Sequence, residues 1–83
     1  MKIQIRYFAS IREALGRPSE EVVTASTTLG GLRSELVARG GPYAEVLAPG
    51  RPVRMARDQV MGGEHVMLTE GCEVAFFPPV TGG

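Results

Sequence analysis

A chain of 83 residues can do chemistry only through a reactive group, and this one offers few. Its single cysteine, Cys72, follows Glu70-Gly71 and precedes Glu73. A nucleophilic thiol needs electropositive surroundings, and these neighbours are acidic, so Cys72 reads as structural. The single histidine, His65, lies beside Gly62-Gly63 with no serine or cysteine placed to partner it, and reads as a surface or edge residue. Asp58, Glu64, Glu70 and Glu73 show no spacing suited to paired acid–base work and read as a solvated face. There is no phosphate loop, no GxGxxG after a strand, no HExxH and no GxSxG. One cysteine also excludes an intramolecular disulfide and a multi-cysteine metal site, and no metal ligand set is expected.

What remains is the stretch Phe76-Phe77-Pro78-Pro79-Val80-Thr81-Gly82-Gly83. Proline removes a backbone donor and fixes φ, so Pro78-Pro79 ends sheet pairing and starts a stiff exit. The reading divides the chain into a folded domain, residues 1–77, and a flexible tail, residues 78–83. At ~3.3–3.6 Å per extended residue, that tail reaches at most roughly 20 Å. Thr81 belongs to its uncharged spacer. Gly82, without a Cβ, can thread a passage too narrow for other residues. The carboxylate of Gly83 is then the candidate reactive group, a handle on an arm.

Nine basic and nine acidic residues cancel, and the eight arginines and Lys2 form no dense run. That balance argues against a nucleic-acid partner bound through a broad basic surface. No segment approaches the length needed to span a bilayer, so no membrane role is expected. A lone thiol and an N-terminus that enters a strand at once suit a cytoplasmic protein.

The elements that must carry the tail follow from periodicity. Lys2 to Tyr7 alternates, with Ile3, Ile5 and Tyr7 on one face. Phe8 falls by parity on the polar face, or turns into the core if the strand has ended. Ala9 to Leu15 reads as a short helical turn broken by Gly16-Arg17-Pro18, and Ser19 to Thr24 as a second strand. Thr27 or Thr28 can cap a helix whose Leu29, Leu32, Leu36 and Val37 form one stripe opposite Arg33, Ser34, Glu35 and Arg39. Gly30 and Gly31 weaken its first turn, and Gly40-Gly41-Pro42 stops it. Tyr43 to Leu47 reads as one more turn and Val53 to Arg57 as a strand. Asp58-Gln59 is a turn before the apolar pair Val60-Met61, His65 to Leu68 a brief edge strand, and Glu73 to Phe77 the last strand. Alternation turns Val74 and Phe76 inward, Ala75 and Phe77 outward. A hairpin, one main helix and a returning last strand are what an α+β, β-grasp (ubiquitin-like) domain requires. The expectation is a mixed sheet of about four to five strands packed by that helix.

Val74-Ala75-Phe76-Phe77-Pro78-Pro79-Val80-Thr81-Gly82-Gly83 resembles the C-terminus of the molybdopterin synthase small-subunit family, the sulfur carriers of molybdenum cofactor synthesis. Tyr7-Phe8-Ala9, Ile11-Arg12-Glu13, Leu15-Gly16 and Thr28-Leu29 with Leu32-Arg33 are similar to that family as well. Two positions depart from it: Asp58-Gln59 stands where Asn-Gln is usual, and Cys72 where an Asp is frequent. The resemblance implies a β-grasp sulfur carrier that is no enzyme alone. An E1-like adenylyltransferase would use Mg-ATP to adenylate Gly83, and a sulfur donor enzyme would convert it to a thiocarboxylate. The tail would then enter the molybdopterin synthase large subunit and give its sulfur to cyclic pyranopterin monophosphate. No cofactor is expected to be bound by the chain itself. Docking would use an exposed patch of Phe77, Phe8 and Met61 with Arg12 at its rim, unless Met61 packs into the core. A protein modifier, or a carrier for thiamine, cysteine or tRNA thiolation, are the alternative readings.

Overall fold

The computed structural model describes residues 1–79; Val80 and the sequence-predicted tail residues Thr81, Gly82 and Gly83 lie outside the described residues. The alternation at the N-terminus forms β1 (Lys2–Tyr7), with Ile3, Ile5 and Tyr7 buried and Lys2, Gln4 and Arg6 exposed. β1 pairs antiparallel with β2 (Ser19–Val23), Lys2 facing Val23 and Arg6 facing Ser19. The connection holds α1 (Ala9–Leu15). Gly16 closes it in the left-handed region (φ 73°), donating its N–H to the Arg12 carbonyl at 2.9 Å.

The main helix, α2 (Leu29–Val37), starts at Thr28, whose hydroxyl oxygen accepts the Gly31 N–H at 3.0 Å. Leu29, Leu32 and Leu36 are fully buried. Pro42 does not merely stop the chain's second helix: it stands in the first turn of α3 (Gly41–Leu47), where its missing donor is no loss. β3 (Arg54–Arg57) turns through Asp58 and Gln59, both left-handed (φ 48° and 69°), into β4 (Val60–Gly62). Two positive-φ residues suit the tight turn that matches strand twist. The Asp58 carboxylate accepts the Glu73 N–H at 2.9 Å, a bond an Asn side chain would also accept.

The last strand, β5 (Glu73–Phe77), takes the centre of a five-stranded sheet ordered β2-β1-β5-β3-β4. It runs parallel to β1, Tyr7 beside Phe76, and antiparallel to β3, Met55 beside Phe76. Val74 and Phe76 are fully buried, so the α2 leucines, β1 and β5 share one core with Cys72 enclosed in it. This is the mixed sheet and packing helix of a β-grasp domain.

Two local readings change. Residues 65–68 form no strand beyond a single bridge of Met67 to Thr28. Instead the Glu64 and Val66 carbonyls accept the N–H groups of Gly30 and Leu29, each at 2.9 Å. The first donors of a helix lack internal partners, and here this segment supplies them. A Cβ on Gly30 would stand 2.7 Å from the Glu64 Cβ, so the glycine that weakens the helix locally permits this close approach. Arg33, read as part of the solvated face, is buried; its guanidinium donates to the carbonyls of Leu47 (2.6 Å), Ala48 (2.8 Å) and Arg51 (3.1 Å). It thereby satisfies the end of α3 with a cation where the helix dipole favours one.

Glu20 ties β2 to α2's exit and α3. Its carboxylate accepts from the Tyr7 hydroxyl (2.8 Å), the Tyr43 hydroxyl (2.7 Å) and Arg39 (2.9 Å). Burial alone would raise the Glu20 carboxyl, but the bonds from Arg39, Tyr43 and Tyr7 outweigh it and hold the carboxyl below its ordinary value. Burial, and then the bond to Glu20, push Tyr7 far up. Glu20→Ala leaves Tyr7 without an acceptor and should cost about 1–3 kcal/mol in urea denaturation. A depressed carboxyl contributes its stability above the ordinary pKa and loses it as pH falls toward the lower folded value. Stability of the unaltered chain should therefore fall in acid from about pH 4.5 downward, and Glu20→Gln should flatten that acid limb.

Candidate functional site

The outward face of the sheet is set by the same alternation that builds the core. Ala75 on β5 faces Arg6 on one side and Ala56 on the other, and Ala56 faces Met61. Two alanines in adjacent strands leave a low floor. Phe8, Phe77 and Met61 rise around it, with Pro78 and Pro79 at one end, and enclose a hollow of about 800 Å3. The lining is apolar except for Arg6, Gln59 and Glu73.

Phe8 reaches this face because of the chain's exit from β1. Its N–H donates to the Phe76 carbonyl at 3.1 Å, extending the parallel pairing by one residue. The next residue, Ala9, is left-handed (φ 51°), so the chain turns sharply into α1 just past the ring. Phe8 stands edge-on to Phe77, centroids 6.3 Å apart and planes at 90°. That is a favourable aromatic geometry, yet Phe8 remains 38% exposed and Met61 53%. The opposite face repeats the arrangement inward, where Tyr7 stacks on Phe76 at 6.2 Å.

Of the residues singled out from sequence, Phe8, Met61 and Phe77 thus line one hollow, and Met61 is not core. Arg12 is not among its lining residues; it lies on the exposed side of α1. The cation at the rim is Arg6, its guanidinium 5.7 Å above the Phe8 ring and 4.0 Å from the Glu73 carboxylate. Strand alternation placed Arg6 on the outward face, but only the β1–β5 register puts it beside Phe77's strand. Gly83, Gly82 and Thr81 lie outside the described residues, which end with Pro78 and Pro79 at the lip of the hollow. Those prolines also line a smaller hollow of about 200 Å3 with Ile11, Val46 and Val53, so the arm starts between two depressions.

His65 is exposed and Cys72 is 3% exposed within the core. Among the described residues no group of three His, Cys, Asp or Glu stands close enough to hold a metal ion. The hollow's one carboxylate, Glu73, is turned to Arg6. What this site offers is an exposed apolar surface with Pro78 and Pro79 at its lip.

The chain matches the ThiS family over residues 5–83. It is similar to the molybdopterin synthase sulfur carrier subunit of Escherichia coli, 37% identical over 81 residues that cover 98% of this chain and 99% of that one. It is also similar to small archaeal modifier protein 3 of Haloferax volcanii, 30% identical over 97 residues and the whole of both chains. A Haloferax volcanii protein solved in solution superposes with a TM-score of 0.81 at 28% identity, covering 100% of this chain and 87% of that one. A chain from the complex of subunits 1 and 2 of the molybdopterin-converting factor of Helicobacter pylori covers both chains fully, with a TM-score of 0.70 at 21% identity. At that identity the likeness is one of fold.

The inward and outward rings should separate in mutagenesis. Phe76→Ala empties a fully buried site and should cost about 3–5 kcal/mol in chemical denaturation. Phe77→Ala, at a half-buried position, should cost clearly less.

Proposed function

The chain belongs to the ThiS family, and from that premise we propose that it is the sulfur-carrier small subunit of a molybdopterin synthase. The observation that carries this is the course of β5: it runs through the middle of the core and passes directly into Pro78-Pro79 at the lip of the exposed aromatic hollow. A surface to be held and an arm to be extended therefore share one strand. The near full-length likeness to a protein named as such a carrier supports the same reading.

In this reading Gly83 bears the sulfur. A terminal carboxyl, with a pKa of about 3.3–3.7, is ionised at neutral pH and is a poor electrophile. An E1-like adenylyltransferase activates it with Mg-ATP: a carboxylate oxygen attacks the α-phosphorus, pyrophosphate leaves and an acyl adenylate forms. Hydrosulfide delivered by a donor enzyme then attacks the acyl carbon, displaces AMP and leaves a thiocarboxylate. The large synthase subunit covers the hollow of Phe8, Met61 and Phe77. Thr81 and Gly82 pass into its active site, where sulfur moves to cyclic pyranopterin monophosphate. The chain supplies binding surface and a loaded end; acid–base groups and cofactor belong to its partners. Among the described residues no helix is long and apolar enough to cross a membrane. We place the chain in the cytoplasm with these partners.

The likeness to an archaeal modifier protein favours a second reading, in which the same activated glycine is joined to a lysine of a target protein. Conjugates that depend on Gly83 in cell extract would support it.

Intact mass after incubation with the activating enzyme, ATP and a sulfur source decides the first reading. The unaltered chain should gain the mass difference between sulfur and oxygen, and deletion of Gly83 should abolish the gain while the denaturation midpoint stays unchanged. No gain by the unaltered chain overturns the carrier reading.

A further inference from the structure

Two arginines flank the strand that leads to the arm, and nothing above gives them a task. Arg6 on β1 faces Ala75, and Arg54 on β3 faces Phe77. With ~4.8 Å between strands and ~3.3 Å per residue, their Cα atoms stand roughly 12 Å apart, with β5 between them. Both side chains are on the exposed, outward face. Arg6 lines the aromatic hollow, and Arg54 lines an adjoining one that shares Met61. Arg33, Arg39, Arg51 and Arg57 all donate to carbonyls or to Glu20. Neither Arg6 nor Arg54 has such a bond among the described residues; Arg6 has Glu73 at 4.0 Å, and Arg54 has no ion pair. Arg12 is equally without one, but it stands off the hollow.

Resting on the carrier reading, we propose that Arg6 and Arg54 form a charged bracket that takes up two carboxylates of the large subunit, one on each side of the socket for Phe77. A partner that covers Phe77 and the alanine floor strips water from the guanidiniums at its edge. An unpaired cation at such an edge is costly, so the covering surface must bring acceptors. A guanidinium fork matches a carboxylate two bonds at a time, and the Phe8 ring already orients that of Arg6. Carboxylates rather than a phosphate backbone fit the surroundings. Glu21 and Glu73 point out on the same face, and the chain's formal net charge is +0, which disfavours an extended polyanion. Glu73 holds Arg6 only loosely, so it can give way to a better placed acid.

The test is association of the full chain with the large subunit of the same organism, followed by stopped flow over a range of salt. Double charge reversal, Arg6→Glu with Arg54→Glu, should slow association about tenfold at low salt and flatten its salt dependence. Both positions are exposed, so the urea midpoint should fall only modestly, through the like-charge contact that Arg6→Glu sets against Glu73. Arg6→Lys with Arg54→Lys keeps the charge and loses the fork; it should preserve the association rate and speed dissociation. Phe77→Ala should act on dissociation alone. Sulfur loading, read by mass on every variant, monitors the carrier reading independently. Normal loading and binding with unchanged association rate and salt slope in the reversal variant overturns the bracket and leaves the carrier standing. A large subunit that fails to bind the unaltered chain overturns both, and displacement of that subunit by single-stranded RNA in an Arg6- and Arg54-dependent manner overturns the bracket in favour of phosphate.

Discussion

Everything functional in this molecule depends on the parallel pairing of its first strand with its last. β1 and β5 lie at opposite ends of the sequence, and closing that loop carries an entropic cost that only a large shared core offsets. The core is built at that seam: Ile3, Ile5 and Tyr7 from one strand, Val74 and Phe76 from the other, and the leucines of α2 across them. Fully burying side chains of this kind contributes roughly 1.5–3 kcal/mol each. The register then has a second consequence. With Tyr7 beside Phe76, the outward residues Phe8 and Phe77 are brought together as well.

One register therefore places two aromatic pairs on opposite faces of the sheet, and they serve opposite ends. Tyr7 and Phe76 are sealed and hold the fold; Phe8 and Phe77 stay accessible and leave hydrophobic surface for a partner. A shift of β5 by one residue would exchange the faces and destroy both. Because the arm begins two residues after Phe76, its point of departure is as well fixed as the core itself.

The charged residues divide in the same way. Glu20 and Arg33 are turned inward and satisfied, one by two tyrosines and Arg39, the other by three carbonyls near the end of α3. They fix how α3 and β2 sit against the body, and buried polar groups of this kind are costly to leave unpaired. Arg6 and Arg54 face outward beside β5 with no comparable partners among the described residues. A chain with balanced charge can thus carry the local cationic bracket we propose.

Periodicity determined the strands at both ends, the leucine stripe of α2, the facing of Phe76 and Phe77, and the paired prolines that end the sheet, because period and backbone chemistry are local properties. The Gly82-Gly83 motif was visible as residue types, and its role is part of the proposal, since both glycines lie outside the described residues. The burial of Arg33, the loss of the expected strand at 65–68 and the need for Gly30 beneath Glu64 were not legible. Each depends on a segment far along the chain arriving to accept or donate a hydrogen bond, and helical spacing alone put Arg33 on the wrong face. The choice of Arg6 over Arg12 as the cation at the hollow belongs to the same class. Sequence put Arg12 alone at the rim; the tertiary structure puts Arg6 there because only strand register brings β1 beside β5, and register is a property of the closed sheet.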